Sequence, residues 1–183
     1  MANIIGVSGS ITSPSRTRAL VETIVAKASQ RLHASGDVVD IAQLLDVLGT
    51  TVSFNNFPEA IQAAHDKLRN AELIVIASPV YKASYTGLMK HFFDLLDPKA
   101  LNGKVAILAA TGGSDQHASI LDYQLRTLAS FFGLYTVPTA IYAKDSEFTN
   151  YQLTSEAIEQ RIDVALDQAA LLLARPVPQA LVA

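Results

Sequence analysis

The chain has 183 residues, half of them hydrophobic, with a formal net charge of -3 at pH 7. This length suits one domain with a full core, and the small charge without basic blocks argues against a nucleic-acid partner. The absence of cysteine excludes disulfides, thiolate catalysis and cysteine metal sites, and it fits a reducing cytoplasm. Neither a signal peptide nor an apolar run long enough to cross a bilayer is found, so we expect a cytoplasmic protein without a membrane partner.

Apolar runs alternate with helical patterns, which is typical of a parallel sheet covered on both faces. The predicted strands are residues 3–8, 37–41, 73–77, 104–110 and 136–143. The predicted helices are residues 17–34, 58–70, 86–96, 116–132 and 155–174, with Gly36 expected to stop the first and residues 44–57 expected to be irregular. This count predicts a flavodoxin-like three-layer α/β sandwich over residues 1–174, with sheet order 2-1-3-4-5. We expect residues 175–183 to form a disordered tail.

The loop between the first predicted strand and helix, residues 8–17, is rich in hydroxyl side chains. Backbone N–H groups and the positive end of the helix dipole converge at such a loop, which favours binding of a phosphate. The loop is neither a P-loop nor a dinucleotide fingerprint, because it lacks Gly-Lys-Ser/Thr and the required third glycine. Hydroxyls in place of glycines suit a terminal monophosphate such as that of FMN. The alternative is an ordinary turn whose Ser and Thr residues cap the helix.

Two more unusual loops are predicted at the same edge of the sheet. Ligands of open parallel sheets bind beyond the carboxyl ends of the strands, where the loops after strands one, three and four meet. The second loop, residues 78–85, contains two tyrosines, and the third contains Gly112 and Gly113. A flat flavin ring needs backbone close to its edge, and glycine permits this because it lacks a Cβ. The alternatives are that Tyr81 and Tyr85 only pack at the sheet edge, that Lys82 is solvated, and that the glycines form a simple turn.

Residues 78–90, SPVYKASYTGLMK, closely resemble the S-P-x-Y-x-x-x-x-x-G-x-x-K segment of NADPH-dependent FMN reductases. Residues 110–113 and 121–126 are further similar to the reductases that serve two-component alkanesulfonate or methanesulfonate monooxygenases. The resemblance runs from Asn3 to about Asp167 and implies hydride transfer from NADPH, or NADH, to FMN. It also implies delivery of the reduced flavin to a monooxygenase, and a homodimer or homotetramer.

The resemblance implies roles for individual residues. The residues implied at the FMN phosphate are Ser10, Ser15, Arg16 and Thr17. Those implied at the ribityl chain and ring are Pro79, Val80, Tyr81 and Lys82. Those implied at the ring edge are Thr111, Gly112 and Gly113, with Ser114 and His117 nearby. Tyr123 is expected in an irregular helix turn at the oligomer contact, as a modulator of the flavin site. No side chain is assigned as acid, base or nucleophile, because the two cofactors supply the chemistry.

The remaining polar and apolar patterns have ordinary structural interpretations. The histidines show no metal-ligand spacing, so no metal site is predicted and most are expected at the surface, with His117 the exception. Asp122 and Arg126 stand four residues apart and suit a helix ion pair. A stripe of apolar residues on the same helix is expected in the core, and it comprises Leu121, Leu125, Leu128 and Phe132.

Three other functions stay open at this point. One is a flavodoxin-type electron carrier, against which the small net charge argues because such carriers are strongly acidic for docking. Another is a quinone, azo or metal-ion reductase with permanently bound FMN. The third is a non-enzymatic flavin-binding or regulatory protein, which oxidation of NADPH would exclude.

Overall fold

The computed structural model describes residues 3–53 and 56–175. Its strands are β1 (Asn3–Ser8), β2 (Ser35–Asp40), β3 (Leu73–Pro79), β4 (Val105–Gly112), β5 (Tyr135–Thr136) and β6 (Ile141–Lys144). Its helices are α1 (Arg16–Leu32), α2 (Leu45–Leu48), α3 (Glu59–Arg69), α4 (Gly87–Asp94), α5 (Arg126–Phe131) and α6 (Glu156–Leu173). The strands are parallel in the order β2-β1-β3-β4-β5, and β6 also pairs with β4. The predicted flavodoxin-like order is therefore confirmed.

The two faces of the sheet bury separate cores, because successive side chains of a strand point to opposite faces. In β3, Ile74 and Ile76 belong to the core with residues of α3, α4 and α5. Leu73 and Val75 belong to the other core, with residues of α1 and α6. All seven residues of β3 are buried, as a strand covered on both faces requires. The helices therefore leave the ends of the strands, rather than the faces, as the place for a site.

The first helix ends earlier than predicted. Its C-cap is His33, whose left-handed backbone (φ 50°) closes the helix by an N–H bond to the Ser29 carbonyl. The prediction that Gly36 stops the helix is wrong, because Gly36 lies within β2. A Cβ on Gly36 would lie 2.3 Å from the Ser29 hydroxyl oxygen and 2.6 Å from a methyl of Val25. The glycine is therefore needed for close packing of β2 on α1.

The fifth predicted strand is interrupted. It divides into β5 and β6, which pair with opposite ends of β4. Pro138 lies in the gap and has no N–H to donate to the ladder, which is why a continuous strand through it is unfavourable. After β6 the chain forms a small antiparallel hairpin of β7 (Phe148–Thr149) and β8 (Gln152–Leu153), which was not predicted.

The helix predicted over residues 116–132 is irregular. It comprises a short 3-10 turn (Asp115–His117), a π-helical segment (Leu121–Leu125) and α5. The irregular turn expected around Tyr123 is therefore present. The predicted core stripe is buried, and the predicted ion pair joins Arg126 Nε to Asp122 Oδ1 at 3.1 Å.

The expectation that most histidines lie at the surface is wrong for His65. This residue of α3 is completely buried, and its ring lies 4.7 Å from that of Phe92 and 5.6 Å from that of Phe57. Its Nε2 lies 3.1 Å from the Phe92 carbonyl oxygen, whereas Nδ1 has no partner among the described residues. Burial lowers the pKa of His65, because the charged imidazolium is poorly solvated in this core.

Two other predicted segments are only partly described. Residues 44–57 contain α2 in addition to irregular chain, and residues 54 and 55 lie outside the described part. Of the predicted tail, only Arg175 is described.

Candidate functional site

The loops after β1, β3 and β4 are joined by short hydrogen bonds. The hydroxyl oxygens of Thr17 and Thr111 lie 2.6 Å apart in a buried position, which ties the start of α1 to the end of β4. The backbone carbonyl of Thr111 also accepts a hydrogen bond from the Val80 N–H at 2.8 Å. The Thr86 hydroxyl donates to the Gly9 carbonyl at 2.6 Å and fixes the first loop against α4. The three loops therefore form one connected edge.

The first loop presents polar donors at the start of a helix. Ser15 is the N-cap of α1, and its side-chain oxygen accepts from the Arg18 N–H at 3.2 Å. Ser10 is buried and accepts from the Thr12 N–H at 3.3 Å. The first N–H groups of a helix have no partner within it, so those of Arg16 and its neighbour are directed out of the helix start. This is the arrangement that favours an anion.

The second loop is a tight turn that connects to the π-helical segment. Tyr81 and Ser84 exchange backbone bonds of 2.9 and 3.1 Å, and both central residues have left-handed backbones (Lys82 φ 50°, Ala83 φ 64°). The Ser84 hydroxyl donates to the Gln124 side-chain oxygen at 2.6 Å, and the Gln124 amide donates to the Ala83 carbonyl at 3.0 Å. The turn is thus anchored to the segment that carries the π-helix.

The two glycines of the third loop have different surroundings. A Cβ on Gly112 would lie 2.5 Å from the hydroxyl of Tyr142, which donates to the Ser114 carbonyl at 2.6 Å. Tyr142 has a raised pKa, mainly because burial disfavours its phenolate form. A Cβ on Gly113 would meet nothing closer than Asp145 Oδ2 at 3.8 Å. A Cβ at position 112 would therefore have to displace Tyr142, whereas one at position 113 would make only an ordinary van der Waals contact.

These loops surround a cleft of about 240 Å³. Ten predicted residues line it: Ser10, Ser15, Arg16, Thr17, Pro79, Val80, Tyr81, Thr111, Gly112 and Gly113. Most of the predicted site residues therefore lie around one cavity, and their functional roles stay predictions.

Three predicted residues lie outside the lining of the cleft. Lys82 is exposed in its turn, and Ser114 contributes its carbonyl to the bond with Tyr142. His117 lines a small neighbouring cavity of about 70 Å³ together with Val80 and Tyr123. Because Val80 borders both cavities, His117 lies beside the cleft rather than within it.

The structure adds four residues of the cleft that were not among the predicted site residues, of which Thr12 and Pro14 belong to the first loop. Asp145 follows β6, and Tyr151 lies in the hairpin of β7 and β8. Arg16 Nη1 lies 3.6 Å from Asp145 Oδ1, and the guanidinium carbon lies 5.4 Å from the centre of the Tyr151 ring. Ligands of open parallel sheets bind beyond the carboxyl ends of the strands, which we call the strand-end rule. Asp145 directly follows β6 at the same edge, so this rule applied to the fifth predicted strand predicts it. No comparable pattern marks Tyr151.

A larger groove of about 770 Å³ lies elsewhere, against α4 and the π-helical segment. Its cations Lys90 and Arg69 are paired with Asp94 and Asp66. Because Arg16 of the cleft is likewise paired with Asp145, what distinguishes the cleft is the start of α1. Phe131 lines it and is 68% exposed. The donor set fits a phosphate in the cleft and not in this groove, because only the cleft combines a helix start, hydroxyls and a cation.

Within the described ranges, no group of three or more His, Cys, Asp or Glu side chains is placed to hold a metal ion. The helices of residues 3–53 and 56–175 also include none with the length and apolarity needed to cross a membrane.

The chain is similar to known flavin reductases over most of its length. Residues 2–149 match the family described as NADPH-dependent FMN reductase. An FMN reductase (NADPH) of Pseudomonas aeruginosa is 42% identical over 169 residues, which cover 92% of this chain and 91% of the relative. The NADH-dependent FMN reductase SfnF of Pseudomonas fluorescens is 40% identical over 92% of this chain and 90% of its own. The apo structure of the NADH:FMN oxidoreductase EMOB superposes with a TM-score of 0.85 at 31% identity, covering 96% of this chain and 92% of that one.

Proposed function

The chain belongs to the NADPH-dependent FMN reductase family, and we propose that its cleft binds FMN with the phosphate at the loop of residues 8–17. The protein is an NAD(P)H-dependent FMN reductase, so the flavin supplies the chemistry by accepting a hydride from the nicotinamide. What the chain itself contributes is binding, orientation and electrostatics. The observation that carries the proposal is the meeting of ten predicted residues around one polar cleft.

In this proposal the phosphate is held at the start of α1. Ser15 and Ser10 supply hydroxyls, the first turn of the helix supplies N–H groups, and Arg16 supplies a positive charge. The bond between Thr17 and Thr111 fixes the distance between the start of α1 and the end of β4. The same bond therefore sets the width of the cleft between its phosphate end and its glycine-containing end.

The flavin ring is proposed to lie between the second and third loops. Val80 and Tyr81 border the cleft on one side, and Gly113 borders it on another. Gly113 gives the room that a flat ring needs, because a Cβ there would project into space with its nearest neighbour at 3.8 Å. Lys82 and His117 stand beside the cleft and are proposed to contact the ring edge or the nicotinamide.

We further propose that reduced FMN leaves the cleft and supplies a two-component monooxygenase of the alkanesulfonate or methanesulfonate type. The similarity of residues 110–113 and 121–126 to the reductases of those systems supports this partner. Exchange of the flavin is supported by a cleft whose phosphate donors are mostly neutral. The cytoplasm is the proposed location, in keeping with a chain that has no cysteine.

The exposed aromatic residues near the π-helical segment support a proposal of self-association. Tyr123 in the π-helical segment is 81% exposed, and Phe131 in α5 is 68% exposed. Both side chains line the groove. Contiguous exposed apolar surface of this kind marks contact sites. We propose that a second copy of the chain covers this face, giving a homodimer or homotetramer, and that Tyr123 acts on the flavin site from there through the neighbouring cavity.

The test is oxidation of NADPH by the purified protein with free FMN, FAD and a quinone supplied in turn. The proposal predicts a colourless protein with strong turnover that depends on added FMN. A yellow protein that turns over only with quinone would instead support the alternative of a reductase with permanently bound FMN.

A further inference from the structure

The cleft contains a carboxylate beside its cation, which is unexpected for a site that binds a phosphate. Among the described residues that line the cleft, Arg16 and Asp145 are the only ones with charged side chains. They form an ion pair with a closest distance of 3.6 Å, and the side chains are 42% and 52% exposed. Arg16 also lies over the ring of Tyr151. The positive charge of the cleft is thus already matched by a negative one within the protein.

Asp145 is fixed at this position by its neighbours in the chain. It begins a 3-10 turn (Asp145–Glu147) in which the Glu147 carboxylate accepts from the Lys144 N–H at 2.6 Å. The adjacent cation, Lys144, is paired with Asp115 at 3.1 Å, outside the lining of the cleft. Lys144 therefore does not neutralise Asp145, whose carboxylate faces both Arg16 and the space next to Gly113.

We infer that Asp145 is an affinity-determining residue that weakens the binding of FMN by competing with its phosphate for Arg16. The inference rests on the proposed function, since it requires the phosphate to lie at this loop. A phosphate monoester carries a charge of about -1.5 to -2 at pH 7, so it is attracted by Arg16 and repelled by Asp145. The two protein charges offset each other, and the neutral hydroxyls and helix N–H groups then provide most of the binding.

A carboxylate that lies behind Arg16 would instead orient its guanidinium toward the phosphate. The position of Asp145 argues against this role, because the residue itself lines the cleft and its Oδ2 lies 3.8 Å from the Cβ position of Gly113. A carboxylate in that place faces the ligand as well as the arginine. Weak, exchangeable binding follows, which is what an enzyme needs if its flavin is to leave after reduction.

The test compares Asp145→Asn with the wild-type protein in binding of FMN and of riboflavin, the same flavin without a phosphate. Dissociation constants come from quenching of flavin fluorescence, without turnover. We expect Asp145→Asn to bind FMN about threefold to fivefold more tightly, a modest gain because both partners are partly exposed and screened by solvent. Binding of riboflavin should not change. Asp46→Asn, at an exposed position on α2, removes the same charge away from the cleft and should resemble the wild type.

Competition for Arg16 is tested by repeating the substitution in an Arg16→Gln background. The gain in FMN affinity should then fall to less than about twofold, since the group that both anions share is gone. Weaker or unchanged FMN binding by Asp145→Asn overturns the inference while FMN-dependent NADPH oxidation by the wild type upholds the proposed function. An equal gain for riboflavin also overturns it. A wild-type protein that binds no FMN refutes the proposed function and the inference with it.

Discussion

Alanine substitutions at the two adjacent glycines of the third loop, Gly112 and Gly113, should have different consequences. The first should lower the stability of the fold, and the second should weaken the binding of FMN. In Gly112→Ala the new Cβ would lie 2.5 Å from the Tyr142 hydroxyl, closer than real contacts allow, so the ring must move. Overpacking costs about 1–3 kcal/mol, and the bond from Tyr142 to the Ser114 carbonyl is weakened as well. In Gly113→Ala the nearest atom is 3.8 Å away, so stability should change by less than about 0.5 kcal/mol.

Urea unfolding and flavin binding separate the two effects. The unfolding midpoint of Gly112→Ala should fall by about 1 M, given a slope of about 2 kcal/mol per molar urea, whereas that of Gly113→Ala should match the wild type. Gly113→Ala should instead bind FMN about tenfold more weakly, because its methyl group occupies space next to the proposed ring. A stable Gly112→Ala protein would refute the packing argument. Unchanged FMN affinity in Gly113→Ala would refute the placement of the ring.

Three further predictions concern other parts of the molecule. Burial lowers the pKa of His65 in the folded state, so as the pH falls the unfolded chain binds a proton at this imidazole before the folded chain does. The free energy of unfolding should therefore be highest above about pH 6.5 and decrease at lower pH. His65→Leu should flatten that acid limb in urea titrations, and an unchanged slope would contradict the assignment. Thr17→Val and Thr111→Val should each cost about 1–3 kcal/mol, and the double variant less than their sum; additive losses would show that the buried bond contributes nothing. Phe131→Glu should lower the mass measured by light scattering, whereas an unchanged oligomer would place the contact elsewhere.

The layered fold and most of the cleft follow from rules that act locally or at strand ends. Continuous apolar runs such as β3 can only be covered on both faces, and the strand-end rule brings Thr17 and Thr111 to one edge although they are 94 residues apart. The direct hydrogen bond between Thr17 and Thr111 could not be predicted from the sequence, because it depends on the relative positions of α1 and β4. Likewise, the role of Gly36 in packing on α1 depends on an approach between elements that no sequence pattern encodes.

Sequence patterns mark some of the residues that the prediction missed and not others. His65 shares the buried face of α3 with Ile61 and Leu68, a helical spacing that predicts burial in spite of its polar ring. Asp145 was predictable from its place after the last strand. Tyr151 was not, because β7 and β8 have two residues each and strands so short show no periodicity.

The most direct test of the central claim is a crystal structure of the protein with FMN. We expect the phosphate oxygens within about 2.6–3.2 Å of the Ser15 hydroxyl and the first N–H groups of α1, with the ring between Val80 and Gly113. FMN bound in the groove beside Phe131, or with its phosphate away from Arg16, would contradict the account.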